Sequence, residues 1–260
     1  MKNHLHAWML SLALLVPAGV LAAEEGYLSM GIGVERNSGN YGTTTTTEST
    51  SIPLHVLYER QDWSLKLSVP YLFVTGDGSV IVGSGHGGRR STTTTTTTAR
   101  TTRSGFGDVV ATATYRLLAS EDGSSGLEAG ARAKFGTADK TFGTGMNDYA
   151  LQLSAYTSLG DLSPNILLGY EAPGSSSELP LDNVAYGAVG ASYAFSAQTR
   201  AGAEYWYMQR ASATGFEQRE LSFYASTQVG EETWLRGYVM RGLSDGSPDS
   251  GYGVSLSTGF

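Results

Sequence analysis

The side chains able to do chemistry are few and oddly spaced. There is no cysteine, and of the four histidines only His55 and His86 lie beyond the first two dozen residues. Thiolate metal sites, disulfide frameworks and a lipid-bearing cysteine are therefore excluded, and two separated imidazoles leave little for a histidine metal centre. A Ser–His–acid triad is defined by geometry rather than chain order, so His55 or His86 beside a serine and a carboxylate would still make a hydrolase. No Gly-x-Ser-x-Gly forms a strand-to-helix elbow, however, and Gly83-Ser84-Gly85 is only a fragment of one. The Gly83–Arg90 run lacks the Gly-Lys-Ser/Thr ending of a phosphate-cradling loop. The expectation is no enzyme, no metal and no cofactor.

What remains is electrostatic. Glu59, Lys66, Asp108, Arg116, Glu128, Arg132, Lys134, Glu204, Glu220 and Arg236 each sit in a segment where polar and apolar residues alternate. In the last segment Tyr252, Val254, Leu256, Thr258 and Phe260 share one face, and Gly253, Ser255, Ser257 and Gly259 the other. That period of two is a strand with one apolar face. The same holds for Trp63, Leu65, Leu67, Val69, Tyr71 and Phe73 against Ser64, Lys66, Ser68, Pro70 and Leu72. Asp108, Val110, Thr112, Thr114, Arg116 and Leu118 form a second polar row, and Glu128, Gly130, Arg132, Lys134 and Gly136 a third. The segment 231–241 reads either way, with Arg236 favouring Trp234, Arg236, Tyr238 and Met240 as the polar-side row. Arginine or lysine facing mid-bilayer hydrocarbon costs about 2–4 kcal/mol, so in a membrane these rows must face inward.

Twelve segments fit the strand template: 26–35, 51–60, 62–74, 105–118, 125–136, 147–159, 161–170, 184–195, 198–208, 217–229, 231–241 and 250–260. Short connections fall near Gln61, Glu121–Ser124, Gly160, Ser196–Ala197 and Gly230. Long ones cover 36–50, 75–104, 137–146, 171–183, 209–216 and 242–249. Five short turns alternating with six longer loops are what an even-stranded barrel with both termini on one side produces. The fold class is thus all-β: one closed antiparallel transmembrane barrel of about 12 strands, with short periplasmic turns and long extracellular loops. The Thr43–Thr47 and Thr92–Thr98 tracts read as flexible low-complexity loop. The second long loop carries Arg89, Arg90, Arg100 and Arg103 against Asp77, and has the length to fold inward as a plug opposite Asp108, Glu128, Glu204 and Glu220.

Residues 1–23 read as a cleaved export signal. Lys2 precedes an apolar run from Ala7 to Val16, Pro17 and Gly19 break it, and Ala22 or Ala23 offers a cleavage site. The run is too short to cross a bilayer, which takes about 20 apolar residues. The remaining barrel, 24–260, holds 16 basic and 24 acidic side chains, a net of −8, which argues against nucleic-acid binding. Its 33 glycines and 15 tyrosines suit close-packed strands with an aromatic border at the membrane surface.

Two resemblances follow from these residues. The aromatic carboxy terminus, with apolar residues every second position before it, resembles the signal read by the outer-membrane barrel assembly machinery, implying that machinery as a partner through Phe260. Leu67-Ser68-Val69-Pro70-Tyr71, Gly105-Phe106-Gly107-Asp108-Val109 and Lys134-Phe135-Gly136-Thr137-Ala138-Asp139 followed by Gly143-Thr144-Gly145-Met146-Asn147-Asp148 form a set. It resembles the outer-membrane barrels grouped under the MetA-pathway of phenol degradation, often simply called transporters. Phe135-Gly136 replaces the family's proline and Ala138 its glycine, so the turn is altered. The resemblance implies a monomeric porin-like barrel of the Gram-negative outer membrane, bedded in lipid and lipopolysaccharide. It would pass small aromatic or hydrophobic solutes by passive diffusion. A closed structural or surface-interaction barrel is the alternative, and an outer-membrane lipid hydrolase a more distant one.

Overall fold

The computed structural model describes residues 26–78, 80–81, 90–91, 99–139, 142–177 and 179–260. The export signal, His86 and the second threonine tract lie outside that range. Fifteen extended segments follow one another: β1 (Tyr27–Gly39), β2 (Thr47–Arg60), β3 (Trp63–Gly76), β4 (Val80–Ile81), β5 (Arg90–Ser91), β6 (Thr101–Phe106), β7 (Val109–Ala119), β8 (Ser125–Phe135), β9 (Asp148–Thr157), β10 (Leu162–Ala172), β11 (Val184–Ala194), β12 (Thr199–Met208), β13 (Gln218–Gln228), β14 (Thr233–Gly242) and β15 (Ser250–Gly259). β4 and β5 pair only with each other, as a small hairpin within the second long loop. β6 and β7 both pair with β3 and together make one wall strand. The wall therefore has twelve strands, each antiparallel to its neighbours. It closes because β1 pairs with β15 from Ser29↔Gly259 to Ser38↔Ser250. Closure leaves no unpaired edge, which is the condition for a sheet to cross a membrane.

Alternation decides what faces where. Tyr115, Tyr149, Leu151, Leu168, Tyr170, Val239 and Tyr252 are each more than half exposed on the outer surface of the isolated barrel. Such an apolar belt would drive aggregation in water and is covered only by hydrocarbon. The inner parity holds Ser29, His55, Glu128, Gln152, Glu204 and Ser257, all buried. On β14 the pair Trp234 and Met240 is buried while Leu235 and Val239 are exposed, so the Arg236 row faces inward as its charge requires.

Four details differ from the expectation. β1 and β2 run further than 35 and start earlier than 51, leaving a first loop of only 40–46. Thr43–Thr46 is a turn held by side chains rather than a loose tract: Thr43 Oγ1 donates to Asn40 O at 2.7 Å, and Thr46 Oγ1 to Asn40 Oδ1 at 2.8 Å. Thr47 already belongs to β2 and is buried. A register shift between Arg116 and Leu118 moves Leu118 out of the inward row, to 66% exposure. Finally, Gly107 and Asp108 interrupt the fourth wall strand, the Gly107 N–H reaching Pro70 O at 2.8 Å.

Candidate transport lumen

The interior charges gather at three levels. Nearest the long loops, Lys134 Nζ lies 2.7 Å from Asp148 Oδ2 and 3.3 Å from Asp108 Oδ2, all three side chains buried. Both carboxylates also hold loop backbone. Asp108 Oδ1 accepts the Ala138 N–H at 2.9 Å, and Asp148 Oδ1 accepts the Gly174 N–H at 2.8 Å. Asp108 can do this because the strand break removes it from the ladder. Beside the triad Arg132 pairs with the buried Glu171. Glu220 is buried near the same end of β13, directly across from Trp206.

At mid-height Lys66 shares the interior with Glu35 and Arg236, close enough to act on it electrostatically. The Arg236 guanidinium lies over the Tyr224 ring, 4.4 Å from its centroid, and Glu204 stands within electrostatic range of it. His55 covers Gly31, whose missing side chain makes room for the ring: a Cβ there would fall 2.2 Å from His55 Cε1. His55 Nε2 makes no hydrogen bond among the described residues. A Gly-x-Ser-x-Gly run, Gly242-Leu243-Ser244-Asp245-Gly246, leads from the end of β14 into a strand–strand loop, where the Ser244 hydroxyl donates to Glu217 O at 2.8 Å. Near the short turns Arg116 faces Glu128 across β7–β8 and approaches Asp62 at 3.7 Å, with Glu59 in electrostatic reach of both Arg116 and Glu128.

All ten expected residues thus lie on inward rows or, for Asp108, beside the interior at the strand break. The structure sorts them into separate layers rather than one site. Asp148, Glu171, Gln152 and Arg200 are equally buried and were not among them. Strand parity alone carries each of these inward, for example Asn165, Leu167, Gly169 and Glu171 on β10.

One interior wall is apolar. Leu167, Val184, Tyr186, Trp206 and Met208 on β10–β12 pack together with Ala150 and Ala188. Tyr186 and Trp206 stack with centroids 5.3 Å apart, and Tyr186 Oη donates to Gln152 Oε1 at 3.0 Å. A second small core lies at the long-loop end. Tyr41, Val80, Ala138 and Phe142 from three loops meet Leu72 and Val74, the inward residues of β3. Phe142 rests on Gly105, where a Cβ would be 2.8 Å from its Cε2. Val80, from the described part of the second long loop, belongs to this core.

The fold matches that of the COG4313 outer membrane channel from Pseudomonas putida F1 with a TM-score of 0.72 at 14% identity, over 95% of this chain and 100% of that one. NanC porin matches with a TM-score of 0.56 at 12% identity, over 89% and 98% of the two chains. KdgM porin follows at 0.52 and 13%, over 89% and 99%. At these identities the likeness is one of fold. No family model matches the chain, and no curated protein does.

Proposed function

We propose that the chain is an outer-membrane channel for small solutes whose long-loop, extracellular mouth is gated by the loop core around Phe142. One observation carries the reading: charged side chains of both signs are held on the inward rows at the long-loop end, at mid-height and near the short turns, beneath a loop core at the long-loop end. Buried ion pairs are a poor way to gain stability, since apolar packing of the same volume serves as well or better. A polar path needs them. Solutes would cross by diffusion between the charged rows and the apolar Tyr186–Trp206 wall. Glu59, Lys66, Asp108, Arg116, Glu128, Arg132, Lys134, Glu204, Glu220 and Arg236 would set the field along that path.

The reading includes a cleaved export signal at 1–23, assembly guided by Phe260, a monomer in lipid and lipopolysaccharide, and no catalysis. A closed structural barrel is the second reading, favoured by the near-complete burial of Asp108, Glu171 and Glu204. Flux into solute-loaded vesicles separates the two. A channel admits a small phenol faster than protein-free vesicles do, and Trp206→Ala changes that rate more than the rate for a sugar of similar size. Equal rates with and without protein would support the closed barrel.

A further inference from the structure

The outer surface of the barrel carries its own charge pattern, separate from the lumen. Arg36 on β1, Arg219 on β13 and Arg241 on β14 have outward parity near the long-loop end, and all three are exposed. Their levels can be compared through the strand register. Leu221, Arg241, Ser250 and Ser38 form one row of partners across β13, β14, β15 and β1. Arg219 lies two residues beyond that row toward the loops, Arg241 on it, and Arg36 two residues short of it, three strands along. Strands tilted by about 40° and spaced about 4.8 Å apart change level by roughly 1.2 residues per strand. The sense of the tilt is seen at the other end. Thr199, Gln228 and Thr233 are the residues of β12, β13 and β14 at the short-turn end, and they fall one residue lower per strand relative to the row through Tyr205, Leu221 and Arg241. A drop of four residues over three strands therefore leaves the three guanidinium groups level around the rim.

Immediately below them on the same face stand Tyr207, Phe223, Val239, Tyr252 and Val34, all exposed. The arginines thus sit at the step from apolar belt to polar surface, along about 14 Å of wall. Arg36 and Arg100 share Glu48, at 3.4 and 2.9 Å, and Arg219 pairs with Glu217 at 2.9 Å. Such exposed pairs are weak and open to exchange. Arg241 makes no ion pair among the described residues. Glu48 and Glu217 are thus the acidic partners on the row, and Asp245 and Asp249 lie exposed in the loop that follows Arg241.

We propose that Arg36, Arg219 and Arg241 form a docking rim for the phosphates of a lipopolysaccharide headgroup in the outer leaflet. Guanidinium groups bind phosphate through paired N–H donors, and the aromatic and aliphatic residues beneath would receive the acyl chains. The proposal rests on the outer-membrane reading but not on conduction.

The test is co-purified lipopolysaccharide per folded barrel, measured after extraction in mild detergent and checked by rebinding to delipidated barrel. Folding is scored by gel mobility before and after heating. The R36Q/R219Q/R241Q variant should retain the folded band and lose at least threefold of the bound lipid, while the triple lysine variant loses less. R60Q, at the short-turn rim, should bind as the parent does. Competition separates the sources of phosphate: free inorganic phosphate at millimolar levels should not displace the lipid, and neutral phospholipid should not replace it. Equal lipopolysaccharide on the parent and the triple glutamine variant overturns the proposal. So does displacement by free phosphate. If the triple variant loses lipid while its conductance is unchanged, the rim is established separately from the channel reading.

Discussion

Replacing Lys134 by methionine isolates the part of the lumen that joins wall to gate. Lys134→Met (K134M) keeps the length of the side chain and removes the ammonium that sits 2.7 Å from Asp148 and 3.3 Å from Asp108. The two carboxylates, 4% and 1% exposed, then lose the ammonium they share. Removing one member of a buried ion pair costs about 3–5 kcal/mol. Here each carboxylate keeps one backbone donor, Gly174 or Ala138, which places the loss near the lower end at about 3 kcal/mol. The triad ties the start of β9 and the end of β8 to the loops at 136–147 and 173–183, so the first effect is local opening. Urea unfolding of the vesicle-reconstituted barrel gives the global part: with a slope of about 1–3 kcal/mol/M, the midpoint should fall by roughly 1–3 M. Limited proteolysis gives the local part, with cleavage in 136–147 accelerated. The companion K134M/D108N/D148N retains the amide acceptors without stranded charge and should recover at least half of the loss. A K134M barrel within 1 kcal/mol of the parent, or a triple variant no better than the single one, would refute an electrostatic clasp.

Three further outcomes follow from the same geometry. Phe142→Ala should leave the folded band in place but speed protease entry at the loop after β8, because its 4% exposed ring completes the mouth core; unchanged protection would mean that the core does not hold the loop. In the turn before β8, the Ser120 hydroxyl and the Ser124 N–H hold the Asp122 carboxyl down to about 2 from its usual 3.8. The stabilisation this gives is complete above pH 3.8 and lost as pH falls toward 2, so a carbon-detected NMR titration should place the midpoint near 2 and Ser120→Ala should raise it. Spin labels at Tyr71 and Tyr115 should be quenched by lipid-soluble oxygen and those at Lys66 and Arg116 by an aqueous reagent, a reversal showing that the register is wrong.

Much of the wall was legible because a period of two survives any error at the strand ends. Arg236 alone resolved the two faces of β14, and Trp234 and Met240 followed it inward. Leu118 was misplaced because a register shift is a backbone event that leaves the alternating residues unchanged. Asp108 was recognised as an interior charge, but its departure from the ladder to cap Ala138 was not visible. Its Gly-x-Gly-Asp setting reads equally well as the opening of a strand. Asp148, the missing third member of the Lys134 clasp, was within reach, since it shares parity with Ala150 and Gln152 on β9. The mouth core was out of reach. Tyr41, Val80, Ala138 and Phe142 lie in three connections, and nothing local marks them as partners of Leu72 and Val74. Contacts of that kind arise only when the barrel brings the loops over one opening.

Single-channel recording of the refolded 24–260 barrel in a planar bilayer tests the central claim most directly, with F142A measured under the same conditions. A gated channel shows brief, low-conductance openings in the parent, and F142A raises the open fraction while a smaller change is seen in the size of each opening. K134M should act in the same direction. Silent membranes for the parent and for both variants, with folded barrel shown to be inserted, would contradict a gated lumen and leave a closed wall.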